Sequence, residues 1–349
     1  MKIVYDDIIY SLQVSGGGSV YWSEVTGEAP TSAQHIIYDT AASNIFLNKE
    51  ILNRSTVLSS CLLSIKRFLA IRLKARERFI FHSSYYRFCI NSNAVNITTV
   101  HDFTDELYTC GLKAFLRVNR KKRAMTHSQG IICISENTKR DFLHFYPNYK
   151  NRLIVISNGY DNKSYYYEPE VKKTKNILFV GSRHGYKRFD LTLQIANMLK
   201  DCRLIIIGGG DLNREEHLLL EKTIPGRFEK KGFVANDDLR HLYNEAFFLC
   251  YPSEYEGFGI PIIESQACGC PVVCQSKASI PEVAGDAAIY INGSKIAEDV
   301  SLIHKLYDAD YYSRIQKNGL ENVKRFSWDK CRGEVQDFYK SIYEKGNEK

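Results

Sequence analysis

The chain has 349 residues, 44% of them hydrophobic and 25% charged, and a formal net charge of +7. Single hydrophobic cores stop growing below this length, so two domains are expected. The sequence has no apolar run of about eighteen residues, and two aspartates interrupt the opening MKIVYDDIIYSL. It therefore predicts neither a membrane-spanning helix nor a signal peptide, and we expect a cytoplasmic protein.

The ten cysteines are scattered without a C-x-x-C pair, and the closest two are Cys268 and Cys270. This spacing indicates neither a zinc site nor a disulfide framework, so we expect small buried thiols and no metal. The charge is unevenly divided. Residues 1–163 carry 21 Lys and Arg against 13 Asp and Glu, a net +8, and residues 164–349 carry 26 against 27, a net −1.

Short apolar runs alternate with helical stretches along the whole chain, which is typical of α/β units with parallel sheets. In the first half the predicted strands are 2–6, 35–39, 78–82, 96–102, 130–135 and 152–158. A second series covers 176–182, 203–209, 228–234, 247–253, 271–275 and 288–292. The polar stretch 159–175 lies between the two series and is the predicted linker. We predict two Rossmann-like doubly wound domains, 1–163 and 164–327, with ligands bound at the carboxyl ends of the strands.

The stretch EYEGFGIPIIESQACGCPVV places two carboxylates around a predicted strand-to-helix turn. Gly257 and Gly259 allow close approach of a ligand, and Pro261 suits the first turn of a helix. The helix start favours an anion, while Glu256 and Glu264 are suited to accept hydrogen bonds from hydroxyls. The alternative is a surface loop whose acids only stabilise the helix N-terminus. The glycines and the proline favour a site for a phosphorylated sugar compound.

The spacing of Glu256 and Glu264, E-x(7)-E within YEGFGIPIIE, resembles the signature of retaining glycosyltransferase family 4. The resemblance implies a GT-B fold, in which two Rossmann-like domains face a cleft. It also implies that Glu264 binds the ribose of a nucleotide-sugar. Glu256 would contact the donor sugar, together with the backbone around Gly257, Phe258, Gly259 and Ile260.

FVGSRHGYKRFDL, residues 179–191, is similar to the family segment in which an Arg and a Lys hold the donor diphosphate, here Arg183 and Lys187. Sugar transfer leaves a diphosphate of growing negative charge, so fixed cations stabilise the transition state more than the ground state. Such cations can replace a metal ion. The alternative is a solvated basic face, but the position directly after a strand favours a functional role.

Other segments resemble the family less specifically. His101 and Asp102 follow a strand, as does the family's H-D pair on the acceptor side of the donor sugar. The alternative for His101 is a packing residue. The glycine-rich run GGGS includes Gly17 and Gly18, which by resemblance approach the donor phosphates, and Val234 lies where the family meets the nucleobase.

The C-terminal segment and three positions complete the resemblance. Residues 328–349 are predicted to form a helix that, by resemblance, returns to the first domain. Ser157 stands where proline is common, and the third glycine of GGGS where Ile or Val is usual. Glu254 stands where an apolar residue is usual, a change that can alter which sugar is preferred.

Two basic segments suggest where an acceptor is met. Residues 57–79 are predicted to form an amphipathic helix with six basic residues and one acid, and residues 117–123 add five positive charges. Such segments can bind the inner leaflet of a membrane, where a lipid-linked glycan is anchored. Solvated helix faces are the alternative. No nucleic-acid-binding motif accompanies the charge, so nucleic acid is not an expected partner.

The sequence therefore predicts a metal-independent glycosyltransferase that moves a sugar from a nucleoside-diphosphate donor to a lipid-linked surface glycan. The resemblance implies retention of configuration by front-face attack. The opening YDDIIYSLQ suggests a GDP-mannose type of donor. The alternatives are a nucleotide-sugar epimerase of the same fold, a dinucleotide-dependent oxidoreductase and a non-catalytic binding module. The oxidoreductase lacks its glycine fingerprint, and a binding module would not need the set formed by Arg183, Lys187 and Glu264.

Overall fold

The computed structural model describes residues 1–14, 16–28, 32–47, 49–53, 55–232 and 234–345. The chain divides into two compact units. Unit 1 comprises Met1–Gly159 and Trp328–Lys349, and unit 2 comprises Tyr160–Ser327. The sequence placed the first boundary at 163/164, a few residues later, and the second at 327/328.

Unit 1 contains a seven-stranded parallel sheet with the strand order β3-β2-β1-β4-β5-β6-β7. Its strands are β1 (Ile3–Asp6), β2 (Gln34–Tyr38), β3 (Ser55–Leu58), β4 (Phe79–Ser83), β5 (Ala94–Val100), β6 (Gly130–Cys133) and β7 (Arg152–Val155). The strand order reverses between β1 and β4, which is where doubly wound sheets bind ligands.

Unit 2 contains a six-stranded parallel sheet with the order β10-β9-β8-β11-β12-β13. Its strands are β8 (Asn176–Val180), β9 (Arg203–Ile207), β10 (Phe228–Lys231), β11 (Phe248–Tyr251), β12 (Val272–Gln275) and β13 (Ala288–Ile291). The order reverses between β8 and β11. The predicted α/β class with two Rossmann-like sheets is confirmed.

The helices of unit 1 precede and follow those of unit 2 in the chain. They are α1 (Ile9–Leu12), α2 (Gly17–Thr26), α3 (Lys49–Asn53), α4 (Leu63–Lys66), α5 (Thr104–Tyr108), α6 (Leu112–His127), α7 (Glu136–Phe145), α8 (Phe189–Met198), α9 (Arg214–Thr223), α10 (Asn236–Glu245), α11 (Ile260–Ala267), α12 (Ile280–Ala284), α13 (Ile296–His304), α14 (Ala309–Asn322) and α15 (Trp328–Lys345). Of these, α8 to α14 lie in unit 2.

Helix α15 belongs to the core of unit 1 although 168 residues of unit 2 separate it from the rest. Val335, Phe338 and Ile342 are buried. At the start of β6, a Cβ on Gly130 would overlap Ile342 Cδ1 and lie 2.9 Å from Ile97 Cδ1, so glycine at this position gives the helix room for a close approach. Removal of α15 would expose this apolar face.

The segment 57–79 differs from its prediction. It begins inside the edge strand β3, contains a four-residue helix, α4, and continues without regular structure apart from a bridge between Ile71 and Cys89. The predicted amphipathic helix is therefore wrong. Its apolar residues contact the sheet individually, with Ile71 buried beside Phe79 in a small cluster, rather than along one helical stripe.

All ten cysteines are free, and eight of them are buried. Burial raises the pKa of several of these thiols, Cys250 to about 12, so they are protonated at neutral pH. No helix in the described part of the chain is long and apolar enough to cross a membrane. Among the described residues, His, Cys, Asp and Glu do not gather in a group of three or more that could hold a metal ion.

Candidate functional site

The candidate site of unit 2 lies at the carboxyl ends of β8 and β11, where the strand order reverses. The loop after β8 covers residues 181–188 and ends in a single turn of 3-10 helix, Gly185–Lys187. The loop after β11 covers residues 252–259 and leads into α11. These two loops carry Lys187, Glu256 and the glycines that the sequence singled out.

Lys187 and Glu256 form an ion pair in which Nζ and Oε1 are 2.5 Å apart. The side chains are 15% and 11% exposed, so the pair is largely withdrawn from solvent. The ammonium also lies 5.5 Å from the ring centroids of Tyr186 and Tyr251. The two residues that the sequence predicted to bind phosphate and sugar are thus each other's partners in the structure.

Glu254 fastens the two loops together. Its backbone N–H donates to the Tyr186 carbonyl over 2.7 Å, and its carboxylate accepts from Arg188 Nη1 over 3.0 Å. Lys277 also pairs with this carboxylate, at 3.4 Å. The sequence marked Glu254 as unusual for the family. In the structure its charge holds the Lys187 loop against the Glu256 loop.

The leading end of α11 is fixed by one glycine and one hydroxyl. Gly259 has φ 106°, a conformation that favours glycine, and directly precedes the helix. Ser279 Oγ lies 2.9 Å from the Glu256 carbonyl and 3.0 Å from that of Phe258. Phe258 is buried edge-on against Phe326. These contacts hold the backbone around the helix start, and the positive end of a helix dipole attracts anions.

Glu264 lies in the first turns of α11, and its Oε2 accepts a hydrogen bond from Tyr243 over 3.3 Å. Desolvation raises the pKa of Glu264 to about 7; the Tyr243 hydrogen bond lowers it, and the negative charge of Asp161 raises it further. Val234, the predicted nucleobase contact, lies just before α10, the helix that carries Tyr243. Its neighbour Phe233 is outside the described residues.

Arg183, the second cation that the sequence predicted at the diphosphate, is bound by groups of the protein. Its guanidinium donates to both Glu216 oxygens, over 2.8 and 3.1 Å, and to the carbonyls of Gly208, Gly210 and Asp211 over 2.9 to 3.3 Å. These contacts use all five N–H donors of the side chain, which is 2% exposed. Arg183 therefore holds the loop after β9 in place, and its contact with a diphosphate stays a prediction.

The glycines of this loop explain why it accepts the arginine. Gly208, Gly209 and Gly210 all have φ between 73° and 78°. A Cβ on Gly209 would lie 2.8 Å from Arg183 Nη1 and 2.8 Å from the Gly181 carbonyl oxygen. Gly209 is thus required by the packing of Arg183 and Gly181, while a Cβ on Gly210 would meet no atom of the described residues within 4 Å.

In unit 1, His101 and Asp102 directly follow β5. The His101 ring meets the edge of Tyr21 with centroids 4.9 Å apart. Burial lowers the pKa of His101 to about 4, opposed by Asp102 and reinforced by Lys121. The imidazole is therefore neutral at neutral pH. Asp102 Oδ1 accepts from the Thr104 backbone N–H over 2.9 Å, which orients the carboxylate.

Gly17 and Gly18 are the first two residues of α2, the helix that carries Tyr21. The structure therefore links the glycine-rich segment to His101 within unit 1. A Cβ on Gly17 would meet no described atom within 4 Å. Internal packing thus does not require this glycine.

Sequence reasoning missed two residues beside His101. Lys121 Nζ pairs with Glu106 Oε2 at 3.0 Å, with side chains 5% and 4% exposed, and it also donates to the Asp102 carbonyl. The sequence treated Lys121 as part of the basic run 117–123. Its helical position, on the same face as buried Ala114 and Ala124, was the available signal that it points inward.

Residues 167–340 match the family described as Glycosyl transferases group 1. The chain is 39% identical over 173 residues to the O-antigen chain mannosyltransferase B of Escherichia coli, covering 47% of this chain and 45% of that protein. An uncharacterized glycosyltransferase of Methanocaldococcus jannaschii is 28% identical over 226 residues, covering 63% and 62%. The matched regions thus span about half of these curated relatives.

Solved structures extend the likeness of fold to almost the whole chain. The sucrose-phosphate synthase of Thermosynechococcus elongatus superposes with a TM-score of 0.75 at 16% identity, covering 98% of this chain and 99% of that one. HepE of Anabaena in complex with UDP-glucose gives 0.74 at 14% identity, covering 98% and 100%. The predicted GT-B fold class is confirmed by these neighbours. Residues 167–340 are thus similar to the group 1 glycosyl transferases, and over the rest of the chain the likeness is one of fold.

Proposed function

We propose that this protein is a retaining, metal-independent hexosyltransferase that moves mannose from a GDP-mannose type donor onto a lipid-linked surface glycan. The observation that carries the proposal is the withdrawn Lys187–Glu256 pair at the strand reversal of unit 2, beside the leading end of α11. The similarity to an O-antigen chain mannosyltransferase supports the choice of mannose and of a surface glycan.

Donor binding exchanges the partners of this pair. A diphosphate carries more negative charge than one carboxylate, so it takes the Lys187 ammonium from Glu256. The released Glu256 carboxylate then accepts hydrogen bonds from hydroxyls of the donor sugar, next to Gly257 and Ile260. As the glycosidic bond breaks, charge grows on the departing diphosphate, and Lys187 and the α11 amides stabilise it without a metal ion.

Glu264 binds the ribose of the donor. Ionised, it accepts two hydrogen bonds from neighbouring hydroxyls, and Tyr243 at 3.3 Å holds the carboxylate in place. We assign the nucleobase to the backbone at Val234, before the helix that carries Tyr243. Arg183 acts as a positioning residue that fixes the loop 208–211.

For unit 1 we assign His101 and Asp102 to the reacting face of the donor sugar and the α2 start, Gly17 and Gly18, to the donor phosphates. His101 is neutral at pH 7, so it can share a hydrogen bond with a sugar hydroxyl without placing a second cation there. In front-face attack the departing phosphate takes the acceptor proton. This outcome rests on the resemblance to the retaining family.

The acceptor is reached from the inner surface of the membrane. On α6, Leu112, Phe115 and Leu116 are 74%, 63% and 46% exposed, and Lys122 and Arg123 continue the exposed side toward the C-terminal end. Apolar side chains followed by cations suit the interface of an anionic bilayer. We expect the protein to sediment with anionic vesicles in a salt-sensitive manner. Equal recovery in the supernatant with and without vesicles would remove the membrane assignment.

The epimerase alternative gains no support from the comparisons, since the relatives described above are glycosyltransferases and a sucrose-phosphate synthase. The two activities differ in whether they need an acceptor. An epimerase converts the donor alone, whereas a transferase leaves it intact until an acceptor hydroxyl or water attacks. Incubation of GDP-mannose with the protein and no acceptor, followed by chromatography of the nucleotide-sugars, separates the two.

The donor is identified by thermal-shift screening of nucleoside diphosphates and their sugars in the presence of EDTA. A ligand that binds only the folded protein stabilises it, by about 2.7 kcal/mol in the free energy of unfolding at a ligand concentration of one hundred times Kd. The melting temperature rises as a result. We expect guanosine diphosphate compounds to give the largest shift. A shift that appears only when EDTA is replaced by a divalent cation would contradict metal independence.

Lys187→Ala should abolish most of the diphosphate-dependent shift, because the ammonium is the cation that the ligand takes over. The matched control is Lys277→Ala, which removes a lysine that follows β12, pairs with Glu254 and is 48% exposed. An unchanged diphosphate shift in Lys187→Ala, or an equal loss in Lys277→Ala, would count against the assignment of Lys187.

A further inference from the structure

A cavity lies in unit 1 on one face of the sheet edge formed by β1, β2 and β3. It has a volume of about 410 Å³, within the range of about 300 to 1,000 Å³ typical of small-molecule pockets. Alternate strand residues line it, including Val4 on β1, Ile36 on β2 and Leu58 on β3. Because side chains alternate between the two faces of a strand, these residues point to a common side.

The cavity exists because the connection from β3 to β4 does not cover this face with a full helix. That connection contains the four-residue helix α4 and then the irregular stretch 67–78. Leu69 lines the cavity and is 53% exposed, and Leu58 is 39% exposed. Apolar side chains at the mouth therefore remain in contact with water, which an apolar ligand would relieve.

The charged residues around the cavity are all of one sign. Lys2, Lys66, Arg72, Lys74 and Arg87 line it, and its lining in the described part of the chain contains no Asp or Glu. Arg87 is neutralised by Asp6, with Nη1 and Oδ1 3.2 Å apart.

Lys66 donates to the Ser59 carbonyl over 2.8 Å, and its ammonium also interacts with the Asp39 carboxylate. The side chains of Lys2, Arg72 and Lys74 have no hydrogen-bond or ion-pair partner among the residues that the structure describes. The rim of the cavity therefore carries a surplus of positive charge next to an apolar floor.

We propose that this cavity binds an anionic lipid, with one apolar chain along the sheet face and its acidic head group at Arg72 and Lys74. Apolar surface alone would suit any hydrophobic compound, and cations alone would suit any anion. The combination selects a molecule that carries both. The cavity is lined by residues of unit 1 alone, so the inference does not depend on the assignment of Lys187 or Glu264.

The probe is dodecyl phosphate below its micelle concentration, titrated into the whole protein by calorimetry. Dodecyl maltoside has the same chain without the charge, and inorganic phosphate has the charge without the chain. We expect saturable binding of dodecyl phosphate and at least tenfold weaker binding of either control. Equal binding of the maltoside would reduce the site to an apolar surface. Equal binding of inorganic phosphate would reduce it to an anion patch.

The variant Arg72→Glu/Lys74→Glu reverses two exposed charges at the rim and is expected to weaken dodecyl phosphate binding at least tenfold. Arg76→Glu is the matched control, because Arg76 is exposed in the same stretch but does not line the cavity. It should change the affinity less than about threefold, the change expected from a single remote charge. Absence of binding to the wild type, or equal affinity in the double variant, would overturn the proposal.

A third variant fills the cavity with its charges unchanged. Ala70→Phe places a ring among the lining residues, and we expect it to weaken dodecyl phosphate while the melting temperature of the protein is retained. Thermal-shift response to guanosine diphosphate compounds is measured on the same samples. Loss of lipid binding with a normal nucleotide shift is the expected result, so failure of this inference and failure of the proposed transferase remain distinguishable.

Discussion

At the scale of single residues, Glu264 is the group whose ionisation the proposed function depends on. Its pKa is raised to about 7 by desolvation, from an ordinary value of 4.5. Only the ionised form, which predominates above pH 7, offers two charged oxygens to a pair of ribose hydroxyls. We therefore expect nucleoside-diphosphate affinity to fall as the pH drops from 8 to 6, by up to about tenfold for full loss of one charge-assisted hydrogen bond.

The check is a titration of guanosine diphosphate at several pH values with wild type and Glu264→Gln. The amide keeps the shape of the side chain but does not titrate. We expect a weaker and flat profile in the variant. If both proteins show the same pH dependence, then the phosphate groups of the ligand or another residue controls it.

Sequence reasoning located the site residues more reliably than it assigned their partners. Lys187, Glu256 and Gly259 lie in loops directly after parallel strands, and that position followed from apolar runs and glycines. The pairing of Lys187 with Glu256 spans 69 residues and depends on the strand order β8-β11. Local sequence does not encode which strands are neighbours. The same limit applies to Arg183, whose partner Glu216 lies on α9, beyond α8 and β9 in the chain.

At the scale of elements, the loop after β9 is held by a side chain rather than by its own backbone. Arg183→Met removes five hydrogen bonds at once and leaves Glu216 without its partner. Breaking a buried ion pair costs about 3 to 5 kcal/mol, but the Glu216 side chain is 19% exposed and regains water. We expect a loss of about 2 to 3 kcal/mol in the free energy of unfolding.

Urea unfolding followed by far-UV circular dichroism measures this loss. The matched control is Arg203→Met, whose pair with Glu229 is 3.5 Å long with side chains 51% and 39% exposed. It should change stability by less than about 1 kcal/mol, as exposed pairs do. Because Arg183 is a positioning residue, diphosphate affinity at 10 °C should fall far less than in Lys187→Ala. If Arg183→Met is stable but does not bind the diphosphate, the result would support the direct contact between Arg183 and the diphosphate that the sequence predicted.

The elements themselves were largely predictable, with exceptions that have physical causes. Every predicted strand is present, since each is a short apolar run between turn signals. Strand β3 was missed because it is an edge strand whose residues are mostly exposed, so Ser55–Leu58 lacks the apolar pattern of a buried strand. Residues 57–79 were taken for a helix because their composition favours one. The contacts of Ile71 with the sheet prevail over that propensity.

At the scale of the whole molecule, tryptophan fluorescence distinguishes the two units. Unit 1 contains both tryptophans of the chain, Trp22 and Trp328, which are 1% and 6% exposed. Tryptophan fluorescence therefore follows the unfolding of unit 1 alone. Unit 1 is also built from two segments that are far apart in the chain, Met1–Gly159 and Trp328–Lys349. Helix α15 begins at Trp328, the first residue of the second segment. Only the family resemblance, and no local pattern, predicted that α15 returns to this unit.

A buried histidine makes unit 1 sensitive to acid. His82 Nδ1 lies 2.5 Å from Tyr339 of α15, and Nε2 lies 3.0 Å from Thr99. Burial, with a further contribution from His101, lowers the pKa of His82 to about 3. The unfolded chain binds a proton near pH 6.5 and the folded protein does not, so stability is lost as the pH falls below 6.5. At pH 5 the loss reaches about 2 kcal/mol.

His82→Gln removes this titration, since glutamine offers polar atoms to Tyr339 and Thr99 at any pH. Urea unfolding monitored by tryptophan fluorescence at pH 7 and pH 5 should show wild type losing about 2 kcal/mol more than the variant. Asp6 and Glu106 in the same unit have raised pKa values and act in the opposite direction, but they are present in both proteins and cancel. The control His241→Gln alters an exposed histidine of unit 2. It should lose as much free energy of unfolding between pH 7 and pH 5 as the wild type does. If wild type and His82→Gln lose the same free energy of unfolding between pH 7 and pH 5, the acid sensitivity of unit 1 arises from other residues.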